Sequence, residues 1–200
     1  MNNNIDTLEF WTRRKIIPIF GVINEENASN IIKALYSIHF EYEDTFVPVN
    51  KRKVVIILNS PGGLVSAGLA IYDTIKILPL TVYTICSGTC ASMGAFLLSS
   101  GENGKRYAFA NAEIMMHQPL GGASGQASDI KIIADHILKT KQRLNSILSE
   151  NTGRSYQEIE KDTDRDNFFT AEQAKEYGII DHVITQQNLM EVLKYDNTWV

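Results

Sequence analysis

Short runs of branched apolar residues alternate along this chain with stretches of helical periodicity, and no other feature restricts its fold so strongly. Ile16 to Phe20, Val54 to Leu58, Thr81 to Cys86 and Glu113 to Met116 read as strands, each ahead of a turn or a helix. Between them Ala28 to Phe40, Leu64 to Leu78 and Ala127 to Glu150 follow a helical repeat, the last with apolar residues at Ile130, Ile133, Ala134, Ile137 and Leu138. Strands alternating with helices predict an α/β fold with a largely parallel sheet. Further along, Thr170 with Gln173 fits a capping box, Glu172 sits in the first turn, Gly178 is placed to end that helix, and Ile179-Ile180 starts another strand. Residues 41–53 are polar around Pro48 and read as a surface loop.

No repeat, low-complexity tract or Pro/Gly-rich linker divides the 200 residues, so one domain spanning 1–200 is expected, with 1–12 as a short N-terminal segment. Hydrophobic residues at 44% and charged residues at 21% suit a folded globular chain. A net charge of -4 with interspersed signs offers no basic stripe, which argues against nucleic acid as a partner. The polar start, Met1 to Asp6, lacks the basic and then apolar pattern of a secretory signal, and no run nears the ~18 apolar residues that span a bilayer. A cytoplasmic location, or an equivalent organellar stroma or matrix, is expected. The two cysteines, Cys86 and Cys90, have no second pair to complete a zinc site and read as small buried thiols in a reducing compartment.

Chemistry enters at Cys90-Ala91-Ser92-Met93-Gly94, which places a serine between a strand and an apolar helix. Small residues permit a sharp bend there, and the Met93 amide is the natural donor to an oxyanion on a carbonyl attacked by Ser92. A Gly-x-Ser-x-Gly elbow would need glycine where Cys90 stands, so the motif is a near miss, and a serine in this position is by itself more often a helix cap. Asn59-Ser60-Pro61-Gly62-Gly63 follows the strongest strand; it reads as a tight turn or as a second oxyanion donor through the Gly63 amide. Of four histidines, His117 stands where a strand opens into a loop, while His39, His136 and His182 lie within regular elements. An acid to orient His117 is offered by Asp162, Asp164 and Asp166, and spacing alone does not choose among the three.

Taken together, Asn59 to Gly63, Ala91 to Gly94, Met116-His117-Gln118-Pro119-Leu120-Gly121-Gly122 and Asp162 to Phe168 resemble the proteolytic subunit of the Clp protease, a self-compartmentalising serine peptidase, over about residues 13 to 184. The resemblance implies a ClpP/crotonase-like fold of repeated β-β-α units with a protruding helix-strand handle. It also implies a Ser92, His117, Asp166 triad, an oxyanion hole from Gly63 and Met93, and Val65 and Leu120 on two strands that hold extended polypeptide substrate. It requires no metal or other cofactor. It further implies a homo-oligomer of two stacked heptamers, with Ala127 to Glu150 near the contact between rings and Asp164 and Arg165 pairing across it, and an AAA+ unfoldase as partner.

This sequence departs from the family pattern in three places. It reaches the first matching residues with little preceding segment to line an axial pore. Its strand Val54 to Asn59 lacks the tyrosines of the family's docking pocket, and its 41–53 loop is extended. A catalytically silent ring subunit, a crotonase-like CoA-thioester enzyme and a scaffold are the competing readings.

Overall fold

The computed structural model describes residues 7–193. In chain order the elements are α1 (Thr7–Thr12), β1 (Ile16–Phe20), α2 (Glu25–Asp44), β2 (Lys53–Ser60), α3 (Val65–Ile77), β3 (Thr81–Ala91), α4 (Met93–Ser99), β4 (Arg106–Ala108) and β5 (Glu113–Met116). The order continues with α5 (Ala127–Thr152), α6 (Tyr156–Asp162), β6 (Asn167–Thr170), α7 (Ala171–Tyr177), β7 (His182–Val183) and α8 (Gln186–Leu193).

Five strands, β1-β2-β3-β4-β7, lie side by side and parallel, as strand–helix alternation requires. The fold is therefore mixed α/β with a parallel-dominated sheet. β2 is buried on both faces, with Val54, Val55, Ile56 and Leu58 at 4% exposure or less, which explains its unbroken apolar sequence. The main core fills the space between the sheet and α2, α3 and α4. α4 is buried along all seven residues.

β3 sets up the rest of the molecule. It runs five residues beyond the expected end at Cys86, and one edge serves two partners in turn, with Thr84 to Cys86 against β4 and Thr89 to Ala91 against β5. Between the two stretches the register against β2 shifts, and Gly88 sits at φ 102, where a Cβ would come within 3.0 Å of the Asn59 side chain. β5 then pairs antiparallel with β6.

Several boundaries differ from those read in sequence. α2 begins at Glu25 because Asn24 and Asn27 exchange side-chain-to-backbone hydrogen bonds of 2.9 Å. It continues to Asp44, so residues 41–53 are not a surface loop throughout. They are a helix end, a turn with Val47 buried and a single 3-10 turn, held by the buried Arg52, which bonds the Val47 carbonyl at 2.8 Å and pairs with Glu43. Ile179-Ile180 is a buried turn, and the strand begins at His182. β4, β6, α1, α6 and α8 were not expected. The first two are three and four residues long, too short for a periodic signal. The projecting feature is a helix alone: residues 117–126 form no regular element, and Pro119 with Gly121-Gly122 suits that state.

Candidate active site

Register brings the three catalytic candidates together. Parallel pairing of Ala91 with Met115 lets the Ser92 N–H donate to the Met115 carbonyl at 2.8 Å, which places Ser92 beside the end of β5. Antiparallel pairing of Met116 with Asn167 places the next residue on one strand, His117, beside the preceding residue on the other, Asp166. Forty-nine residues of chain are thus closed by one short ladder.

The side chains complete what the backbone arranges. His117 Nε2 lies 2.9 Å from Ser92 Oγ and Nδ1 lies 2.9 Å from Asp166 Oδ1. A carboxylate oxygen only accepts, so Nδ1 carries the proton and donates to Asp166, which leaves the Nε2 lone pair to accept from the Ser92 hydroxyl. The His117 side chain is largely covered, while that of Asp166 is 61% exposed.

Ser92 occupies the N-cap position of α4 but does not cap it with its side chain. Its side chain makes no capping bond to α4, and its backbone sits at φ 54, ψ -121, a strained conformation for a non-glycine residue. Strain of this kind holds the hydroxyl out of the helix and toward His117. Gly62 packs directly behind it: a Cβ there would lie 2.7 Å from Ser92 Cβ and 3.0 Å from the Met93 nitrogen. Gly63, at φ 155, lies against Ile23, where a Cβ would come within 2.0 Å of the carbonyl oxygen. The Gly62 carbonyl and the Leu64 N–H bond Ile23 on either side, and no acceptor within the described residues takes the Gly63 or Met93 amide. The amides of the residue after Ser92 and of the residue after Gly62 therefore have no acceptor among the described residues, as an oxyanion hole requires.

The loop carrying Asp166 is fixed from several directions. The Gln118 N–H donates to the Thr163 carbonyl at 2.6 Å, and Asn167 Nδ2 donates to the Asp162 carbonyl at 3.1 Å. Asp162 accepts from the Tyr177 hydroxyl at 2.9 Å. Asp164 faces Lys141 at 3.8 Å and accepts from Gln118 through its carbonyl. Neither aspartate bonds His117. The other histidines also lie elsewhere: His39 packs on Phe40 and His182 on Tyr107, while His136 stands on the exposed part of α5.

A narrow pocket opens beside Ser92 and His117, lined by Val65, Met93, Phe96, Met116, Pro119, Leu144, Asn145 and Leu148. The sequence pointed to six of these ten residues: Ser92, His117, Val65 and Met93 as site candidates, and Met116 and Pro119 as members of the His117 motif. The other four, Phe96, Leu144, Asn145 and Leu148, follow helical spacing on α4 and α5, and the one polar member, Asn145, could have been noticed as an amide between the apolar Leu144 and Leu148. Val65 and Leu120 do not lie on strands in this chain. Val65 heads α3 at the pocket wall, and Leu120 is 84% exposed in the irregular segment, where no neighbouring strand offers it a ladder. Arg165 is exposed and, among the described residues, reaches only its neighbour Asp164, at 3.4 Å to the carbonyl and 4.0 Å to the carboxylate.

Cys90, two residues from Ser92, is no rival to it as a candidate nucleophile. Burial pushes its thiol well above the ordinary value, and the bond to Cys86 raises it further. Both cysteines are free and buried. Among the described residues no three His, Cys, Asp or Glu side chains cluster as a metal would need, and no helix is long and apolar enough to cross a membrane.

Comparison with protein families places the whole chain. The family model described as Clp protease matches residues 1–187 of the 200, a span that contains every candidate site residue. The chain is a member of the Clp protease family and has that family's peptidase-type fold.

Proposed function

We propose that this protein is a serine endopeptidase that cleaves polypeptides through an acyl-enzyme on Ser92. The observation that carries the reading is the continuous hydrogen-bond chain from Ser92 through His117 to Asp166, with both links at 2.9 Å. His117 Nε2 takes the hydroxyl proton as Ser92 Oγ attacks the scissile carbonyl carbon. The Gly63 and Met93 amides stabilise the resulting oxyanion, and Asp166 stabilises the imidazolium. The C–N bond breaks, His117 returns the proton to the leaving amine, and an ester remains on Ser92. Water then attacks that ester with His117 again as base, and the serine is regenerated.

The reading extends to assembly. The exposed apolar face of α5, with Ile130, Ile132, Ile133 and Leu138 each at least 38% exposed, supports burial of the helix against another subunit, as in two stacked heptamers of one chain with Asp164 and Arg165 at the contact. An AAA+ unfoldase would feed unfolded polypeptide into such a chamber in the cytoplasm or an equivalent compartment. The silent-subunit and scaffold readings leave the ordered triad without a purpose, and the CoA-thioester reading leaves the serine without one.

The test is hydrolysis of short fluorogenic peptides by the purified, assembled protein, with mass measured in parallel. Ser92→Ala is expected to lower the rate at least ~10³-fold with assembly retained. Equal rates in the two proteins would remove the serine mechanism.

A further inference from the structure

The two cysteines take no part in the serine chemistry, yet the register of β3 brings them together. Leu58 of β2 lies opposite Cys86 and Ser60 lies opposite Cys90, so two steps along one strand are matched by four along the other. The excess is taken up around Gly88, at φ 102. It leaves the Cys86 and Cys90 Cα atoms about two residue rises apart, ~6.6 Å rather than the ~13 Å of an unbroken strand. That spacing falls within the range a disulfide spans. Both side chains belong to the main core, on one face of the sheet, at 0% exposure. The Cys90 thiol reaches back to the carbonyl of Leu58, the residue opposite Cys86, at 3.7 Å, and the Cys86 thiol reaches forward to the Gly88 carbonyl at 4.0 Å. The two thiols thus lean toward each other across the kink, and they bond one another.

We propose that Cys86 and Cys90 are a peroxide-oxidised dithiol, which closes to an intrachain disulfide and slows acylation of Ser92. One sulfur attacks a peroxide oxygen: an S–O bond forms, the O–O bond breaks, and the departing oxygen leaves as water with the thiol proton. The second sulfur attacks the sulfenic acid sulfur; the S–S bond forms, the S–O bond breaks and a second water leaves. Two thiols lose two electrons and two protons, and one peroxide becomes two waters. Burial makes the first step slow, so the pair answers sustained exposure. The second thiol is already in place, so closure outruns further oxidation. Bonding draws the sulfurs closer than their present contact and pulls on β3, which carries Ser92 two residues beyond Cys90. A shift of ~1 Å at a catalytic group costs up to ~10²-fold in rate. The effect on Ser92 rests on the serine peptidase reading, whereas the disulfide itself does not.

The experiment incubates the assembled protein with hydrogen peroxide, alkylates the remaining thiols after denaturation and weighs the peptide that holds both cysteines. A fluorophosphonate probe reads Ser92 in parallel. The expected peptide carries no alkyl group and is lighter by two hydrogens, and the labelling rate falls ~10-fold or more, both reversed by dithiothreitol. Only the loss that dithiothreitol recovers is counted, because methionine sulfoxide at Met93 or Met116 in the pocket beside Ser92 stays oxidised. Cys90→Ala is expected to show no recoverable loss, and Cys86→Ala takes its place if that variant does not assemble. Two alkylated cysteines after peroxide, a sulfinic acid at either, or a disulfide without recoverable loss of labelling would overturn the proposal and leave the peptidase reading intact. A Ser92 that never labels in the reduced protein would overturn the peptidase reading and the regulation with it, while the peptide mass still decides the disulfide.

Discussion

One helix belongs to two regions of different character. Toward its C-terminal end, α5 buries Leu144, Asn145 and Leu148 beside the catalytic residues, whereas residues 120–136 are exposed without exception, Ile132 at 66%. Around Ser92 each catalytic position is fixed more than once, by strand register, by a glycine that admits no Cβ and by loop hydrogen bonds. The projecting segment has its own helical bonds and little more. The proposed chemistry is thus organised within one chain, while the apolar face of the projection is stabilised only when something covers it.

The comparison breaks first at the acid. Asp166→Asn keeps the shape of the site but not the charge that holds the imidazolium, and peptide hydrolysis is expected to fall ~10²- to 10⁴-fold with the melting temperature unchanged. An unaltered rate would mean that the exposed carboxylate does not orient His117. Gly63→Ala should be felt next, because the added carbon meets the Ile23 carbonyl and the φ of 155 resists a side chain. A loss of roughly 3 kcal/mol is expected in denaturant titration.

A third effect is pH-dependent. Burial alone would raise the Asp181 carboxyl, but hydrogen bonds from the Arg106 side chain and backbone, with its charge, outweigh that and hold the group below its ordinary 3.8. The pair ties β4 to the turn before β7, with Arg106 Nη2 2.6 Å from Asp181 Oδ1. A carboxyl lowered by folding stabilises the fold above its unfolded value, and this contribution is lost as pH falls below 3.8 through the folded value. Asp181→Asn should therefore melt lower than wild type at pH 7, by an amount worth about 1–3 kcal/mol, with the gap narrowing at pH 3. A constant gap would assign the loss to packing.

The smallest effect on folding belongs to the projection. Ile132→Ser should change unfolding free energy by no more than ~0.5 kcal/mol, yet reduce the assembled mass seen in sedimentation. Unchanged assembly would show that the exposed face of α5 is not where subunits meet.

How far the sequence revealed this site depended on strand length. Ser92 and His117 were legible because each stands where a long or strongly apolar run ends. Asp166 was legible only through the family resemblance and not from the residues themselves, since the strand that selects it, Asn167 to Thr170, is four residues long and runs straight into a helix cap. Read as a strand antiparallel to Glu113–Met116, it would have excluded Asp162 and Asp164 by register. Ser87-Gly88 resembled a strand end and is instead a kink inside β3, which hid the continuous path to Ser92. The 41–53 segment looked polar because Arg52 and Glu43 are charged, although they pair with each other.

The central claim is that register within one chain arms Ser92. A fluorophosphonate probe followed by peptide mass mapping tests it most directly. The account predicts one adduct per chain, on Ser92, abolished in His117→Ala. Labelling of another residue, or Ser92 labelling at full rate without His117, would contradict it.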